Sequence, residues 1–142
     1  MKIYLDTSAL VKIYVEETGS FLVRRTVGQA NLVATSAMAY VEARAAFVRR
    51  RHEGGLSFRQ YRYVIRHLDD DWSRYLVVGV TDTIIRDAAR LAEKRYLRTY
   101  DAVHLASAVA IHDQTSEPLV FVSWDHHLGR AAGQEGFEIL RP

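Results

Sequence analysis

The chain has 142 residues, 49% of them apolar, with no cysteine and a formal net charge of +2. That length suits one domain with a proper core, and the apolar content excludes a disordered chain. The lack of cysteine excludes disulfides and thiolate metal sites, and no apolar run approaches the roughly 18 residues of a membrane span.

In chain order, residues 2–5 (KIYL) form an apolar run that reads as a buried strand. No basic stretch, apolar stretch and cleavage site precede it, so no signal peptide is expected, and the location expected is cytoplasmic. The run ends directly on Asp6, with Thr7 and Ser8 behind it. A carboxylate this close to a core is costly unless something compensates it. Helical patterns follow over 7–16 and 19–28, then a strand over 31–35 (NLVAT). A helix over 36–52 comes next, with Thr35 or Ser36 as its cap. Its apolar stripe is Met38, Val41, Ala45 and Val48, and Glu42 falls within that stripe's angular range. An inward glutamate needs a cation, a hydrogen-bond network or a metal. The alternative is a Glu42 at the stripe's edge that reaches water or Arg49.

Gly54–Gly55 separates this helix from one over 57–72. There Phe58, Tyr61, Ile65, Leu68 and Trp72 form an apolar stripe, and Arg59, Arg62 and Arg66 form another. Sixteen of the 19 basic residues are Arg, and seven lie between Arg44 and Arg66, where Glu53 is the only acid. Arg49, Arg50 and Arg51 close the first of the two helices. Such a segment suits an RNA backbone, because Arg presents a planar fork to phosphate. A solvated outer face, or a surface for a partner protein, remains open. Asp69–Asp71 reads as a solvated charge run.

A strand over 76–80 (LVVGV) and a helix over 82–96 lead to a helix over 101–112. That last helix is apolar nearly all round, apart from Asp101, His104, Ser107 and His112. Thr99 can cap it, which puts Asp101 in the first turn, where the helix dipole favours an ionised carboxylate. His104 reads as a hydrogen-bonded helix residue. A strand over 119–123 (LVFVS) precedes Asp125, then come a helix over 126–132 and a strand over 137–140. Trp124 reads as packing, and His126 and His127 as a solvated helix start. Strands alternating with helices imply an α/β chain with a mostly parallel sheet, which binds ligands at the carboxyl ends of its strands. Asp6 and Asp125 stand at such ends, and helix capping is the alternative for each.

"LDTSAL" at 5–10, a helical Glu42 36 residues after Asp6, "DAVHLA" at 101–106 and "FVSWDHHL" at 121–128 together resemble the PIN-domain ribonucleases. The closest likeness is to the VapC-type toxins of prokaryotic toxin–antitoxin pairs. The resemblance spans nearly the whole chain. It implies a three-layer α/β/α fold around about five mostly parallel strands, and an acidic site of Asp6, Glu42, Asp101 and Asp125 that binds Mg²⁺ or Mn²⁺. It gives Ser8 and Ser123 supporting places. It also implies an RNA substrate, a small DNA-binding antitoxin and a homodimer. Two other readings stand beside the toxin: an RNA-processing or decay nuclease outside a toxin pair, and a non-catalytic RNA- or protein-binding module. The intact set of acids speaks against the module. An aspartate-based phosphatase is excluded, since that chemistry wants a second Asp where Ser8 stands.

Carboxylates crowded at one sheet edge repel, by roughly 3 kcal/mol for a pair about 5 Å apart at an effective dielectric near 20. A divalent cation turns that repulsion into coordination, and an all-oxygen set favours Mg²⁺ or Mn²⁺ over Zn²⁺. On this reasoning, neutralising Glu42 or Asp6 is expected to stabilise the metal-free protein.

Overall fold

The computed structural model describes residues 1–140. Its elements in chain order are β1 (Lys2–Leu5), α1 (Thr7–Tyr14), α2 (Ser20–Gln29), β2 (Leu32–Ser36), α3 (Met38–His52), α4 (Phe58–Trp72), β3 (Leu76–Val78), α5 (Asp82–Arg95), α6 (Thr99–His112), β4 (Leu119–Val122), α7 (His126–Gln134) and β5 (Glu138–Leu140). The strands form one sheet in the order β3-β2-β1-β4-β5, and every pair is parallel.

Strand side chains alternate between faces, so β1 and β4 each feed two cores. Ile3, Leu5, Val120 and Val122 pack with α1–α4 on one side. Tyr4, Leu119 and Phe121 pack with α5–α7 on the other. This is the three-layer α/β/α arrangement. A sheet covered on both faces needs strands that are apolar throughout, and β4 is buried at all four positions.

The strand order decides where a site can form. From β1 the chain steps outward through β2 to β3, then returns to place β4 on the other flank of β1. The crossovers therefore part between β1 and β4, and a crevice opens beyond their carboxyl ends. Leu5 lies in register with Val122, and the Asp6 N–H reaches the Val122 carbonyl at 3.2 Å.

Several local expectations change. The buried residues of α3 are Ala39, Ala43 and Phe47, while Val41 is 63% and Val48 47% exposed and Ala45 is exposed. Hydropathy favours the valines; packing favours alanines, whose small side chains let α3 lie close to its neighbours. Thr35 does not cap α3, because its hydroxyl donates to the buried Leu5 carbonyl at 2.7 Å. Ser36 accepts from the Met38 N–H at 3.2 Å, two residues on. Thr99 is the first residue of α6 and not its cap, though Asp101 still falls in the first turn. In α4 the buried residues are Val64 and Leu68, and Phe58 is exposed. The acidic run is only partly solvated, since Asp69 accepts from the Tyr40 hydroxyl and Asp71 from the Tyr14 hydroxyl.

Trp124 is a packing residue and depends on a glycine. Gly19 has φ of 92°, and a Cβ there would lie 2.5 Å from the Trp124 ring. Gly19→Ala combines a left-handed backbone with overpacking, so a loss of about 2–3 kcal/mol is expected in a denaturant titration. An unchanged midpoint would show that the α1–α2 turn relaxes freely.

Candidate active site

Asp6 leaves β1 and turns at once into α1. It is only 3% exposed. Its Oδ1 accepts from the Ala9 N–H at 2.9 Å and from the Ser8 hydroxyl at 2.7 Å, and its Oδ2 accepts from the Ser123 hydroxyl at 2.5 Å. Burial pushes its pKa above the usual aspartate value, against these donors and the nearby His104. Ser8 and Ser123 also tie the two strand ends together: the Trp124 N–H donates to Ser8 at 2.9 Å and the Asp125 N–H to Ser123 at 3.0 Å. Asp125 uses Oδ1 to cap α7 through the Leu128 N–H at 2.9 Å. Capping and a place at the crevice are thus compatible for both aspartates.

Asp101 stands half-buried in the first turn of α6. Burial raises its pKa, and Asp125 and Asp6 raise it further, with Arg98 opposing. Asp101 therefore feels both of the other carboxyls. The Arg98 guanidinium spans Asp101 and Asp125 at 3.5 Å to each, from a side chain that is 83% exposed. At that distance and exposure it screens the pair weakly.

Glu42 is joined to the group by other means. Its Oε1 accepts from the Thr7 hydroxyl at 2.7 Å and faces His104 Nε2 at 2.9 Å. Burial raises its pKa, but the hydrogen bonds from His104 and Thr7 outweigh that and hold it below the ordinary glutamate value. Glu42 does not reach Arg49 in any ion pair. Its ionised form has partners within the fold, as has Asp6. The expectation that neutralising either acid stabilises the metal-free protein is therefore reversed for Glu42. For Asp6 it stands, because burial raises its pKa even with three donors in place, so the folded chain favours the neutral carboxyl. Among the four, Asp101 is the acid held against its neighbours.

Among the described residues, no three His, Asp or Glu side chains already close around one point as a metal cage does. Mg²⁺ does not require that, because it keeps several waters and takes one or two carboxylates plus substrate phosphate. The donor set is all oxygen, and the pressure of Asp125 and Asp6 on Asp101 is what a cation relieves. These residues fit a hard divalent ion.

The arginine-rich segment lines more than one cavity. Arg49 and Arg50 line a cavity of about 530 Å³ together with Thr7, Ser8, Lys12 and Glu42. Lys12 is buried there, paired at 2.8 Å with Glu17, which also pairs with Arg50. A second cavity, of about 510 Å³, opens on Glu42, Arg98, Tyr100 and Asp101. Arg59, Arg62 and Arg66 line a different cavity of about 620 Å³ with the exposed Phe58 and Tyr63. Arg51 lies over the Phe58 ring, 4.9 Å from its centroid. A further cavity, lined by Arg50, Gly55, Gln60 and Tyr63, lies between the Arg49 cavity and the Arg59 cavity, so the two helices carry a succession of cavities along one side.

The sequence alone gives Thr7, Tyr4, Lys12 and Arg98 no place in the site. Thr7 and Arg98 stand close to motif acids, and a hydroxyl or a cation there was a usable signal. Nothing in the sequence marks Tyr4 or Lys12. His126 and His127 are exposed, and His127 meets only the Tyr96 carbonyl, at 2.9 Å.

The family model for the PIN domain matches residues 3–133. Ribonuclease VapC45 of Mycobacterium tuberculosis (strain CDC 1551 / Oshkosh) is 34% identical over 137 residues, which cover 96% of this chain and 93% of that protein. Among solved structures, PAE2754 from Pyrobaculum aerophilum superposes with a TM-score of 0.69 at 22% identity, covering 98% of this chain and 89% of its own. A toxin–antitoxin complex from Klebsiella pneumoniae gives a TM-score of 0.60 at 14% identity, over 88% and 87% of the two chains. The two structures share the fold.

Proposed function

This chain belongs to the PIN domain family, and from that premise we propose that it is a metal-dependent endoribonuclease, the toxin of a toxin–antitoxin pair. The observation that carries the reading is the gathering of Asp6, Asp101 and Asp125 at the crevice beyond β1 and β4, with Glu42 held beside them. No compact fold gathers such charges without a reason.

Asp6, Glu42, Asp101 and Asp125 would hold Mg²⁺ or Mn²⁺. When bound, a divalent ion supplies charge neutralisation at phosphorus and acidifies water. Ser8 and Ser123 fix the Asp6 carboxylate in one orientation, and Thr7 does the same for Glu42. Arg49 on one side and Arg98 on the other bracket the acids, so an RNA strand has a cation on each flank. Tyr100 lines both cavities and presents an exposed ring to a base. In-line attack by water on phosphorus breaks the bond to the 3′-oxygen and leaves a 5′-phosphate and a 3′-hydroxyl.

The test is cleavage of defined RNAs with Mg²⁺, Mn²⁺ or EDTA, followed by analysis of the ends. Activity lost in EDTA and restored by Mn²⁺, with 5′-phosphate products, is expected. Ends bearing a 2′,3′-cyclic phosphate would mean attack by the RNA's own 2′-hydroxyl and sink the hydrolytic reading. A neighbouring gene for a small DNA-binding protein separates the toxin from a free-standing RNA-processing nuclease. The proposed setting is a cytoplasmic homodimer; among the described residues, no helix is long and apolar enough to cross a membrane.

The outlying trio Arg59, Arg62 and Arg66 extends the proposed RNA path along phosphates and reads no bases. Changing all three to Gln is expected to weaken binding to unrelated RNAs alike. It should also make the salt dependence shallower, by roughly 0.7 log–log units per lost phosphate contact. Normal RNA binding with loss of dimerisation or antitoxin binding would reassign this aromatic-rich face to a protein partner.

A further inference from the structure

Helix α6 is almost wholly apolar, yet it buries an imidazole. His104 is 2% exposed, and both ring nitrogens have partners: Nδ1 lies 2.9 Å from the Tyr4 hydroxyl, and Nε2 lies 2.9 Å from Glu42 Oε1 and 3.0 Å from the Thr7 hydroxyl. A leucine would fill this place at less desolvation cost, so the ring needs a reason to be there. Its partners point one way. A carboxylate only accepts, so Nε2 carries the hydrogen towards Glu42. With the hydrogen on Nε2, Nδ1 can only accept, and the Tyr4 phenol is the donor that faces it. Tyr4 itself sits in the central strand, stacked on Phe121 with ring centroids 5.3 Å apart, and meets the imidazole edge-on at 5.9 Å. The chain of donors runs from the rigid sheet to a single oxygen of Glu42. Thr7 donates to that same oxygen. Oε2 of Glu42 is left as the atom available to a ligand, where the side chain borders both cavities.

We propose that Tyr4 and His104 are positioning residues: a buried strut that ties one oxygen of Glu42 to the sheet and aims the other at the cation and the RNA. Neither residue touches RNA or ion. The inference rests on the acidic site proposed above and adds what holds Glu42 in place. Partners behind a metal ligand typically contribute about 10–100-fold in affinity or activity.

The test uses the full chain, with Mn²⁺ affinity measured by calorimetry without RNA, and kcat and KM measured on a defined RNA. His104→Leu is expected to weaken Mn²⁺ binding about 10–100-fold and to lower kcat similarly, with KM for RNA little changed. His104→Gln, whose amide can present an N–H near the Nε2 position, is expected to restore most of both. Tyr4→Phe removes only the phenol's proton donation and is expected to give a smaller loss of the same sign. A folded His104→Leu variant with wild-type Mn²⁺ affinity and kcat overturns the strut. So does a rise in KM alone, which would make His104 an RNA contact. If His104→Leu does not fold, Tyr4→Phe decides, and wild-type Mn²⁺ affinity in that variant overturns the proposal. A wild-type chain that neither binds Mn²⁺ nor cleaves RNA overturns the nuclease reading itself, an outcome distinct from variants that match an active wild type.

Discussion

Asp101→Asn is expected to lower kcat for RNA cleavage by about 10²–10³-fold, the scale for removing one preorganised electrostatic group, while making the metal-free protein more stable. The opposite signs have one cause. Burial, Asp125 and Asp6 all raise the Asp101 pKa, so its charge is held against its surroundings until a cation arrives. Removing that charge in EDTA should raise stability by about 0.5–2 kcal/mol, the usual gain from relieving an unfavourable charge. The pH dependence has a definite sign. The folded chain binds this proton more tightly than the unfolded chain, so the wild type loses stability as pH rises from the ordinary aspartate value of 3.8 through the raised one. The advantage of the variant should therefore widen across that window and then level off. Urea midpoints in EDTA from pH 3 to pH 8 measure it. An Asp101→Asn variant less stable than wild type at neutral pH would mean that Arg98 stabilises the carboxylate more than its acidic neighbours oppose it.

Glu42→Gln should lose activity on the same scale, about 10²–10³-fold, but with the opposite effect on stability. Its carboxylate is held below the ordinary glutamate value by His104 and Thr7, against burial. The contribution is present above the usual value of 4.5 and is lost as pH falls through the depressed one. The amide keeps the shape and one acceptor oxygen, so a loss of about 1 kcal/mol is expected, the difference between a charge-assisted and a neutral hydrogen bond. Urea midpoints at pH 7 in EDTA, set beside those of Asp101→Asn, make the comparison. A gain in stability for Glu42→Gln would remove the case for partners within the fold, and full activity would remove Glu42 from the site.

The two acids look alike in the sequence: each is a carboxylate on a helix in a family-like motif. What separates them is the company each keeps. Asp101 is surrounded by acids from β1 and from the turn after β4, whereas Glu42 meets donors from α1 and α6. Neither set of neighbours is local. His104 is 62 residues from Glu42 and Tyr4 is 100 residues from His104.

The sequence by itself determined the α/β class, the number of strands, the placement of Asp6 and Asp125 just past strand ends, and Asp101 in a first helical turn. Those follow from short-range causes: apolar runs of strand length, helical periodicity, and carboxylates where a helix begins. Only the tertiary structure decided which face of α3 is buried. Fit beside the sheet selected Ala39, Ala43 and Phe47 over the more apolar Val41 and Val48. It alone set which cavities the arginines line, because a helix fixes the spacing of its side chains and its packing fixes where they point. It alone gave Glu42 its partners as well. A hydrogen bond depends on tenths of an ångström between groups far apart in the chain, and the periodicity of a sequence carries no such distance.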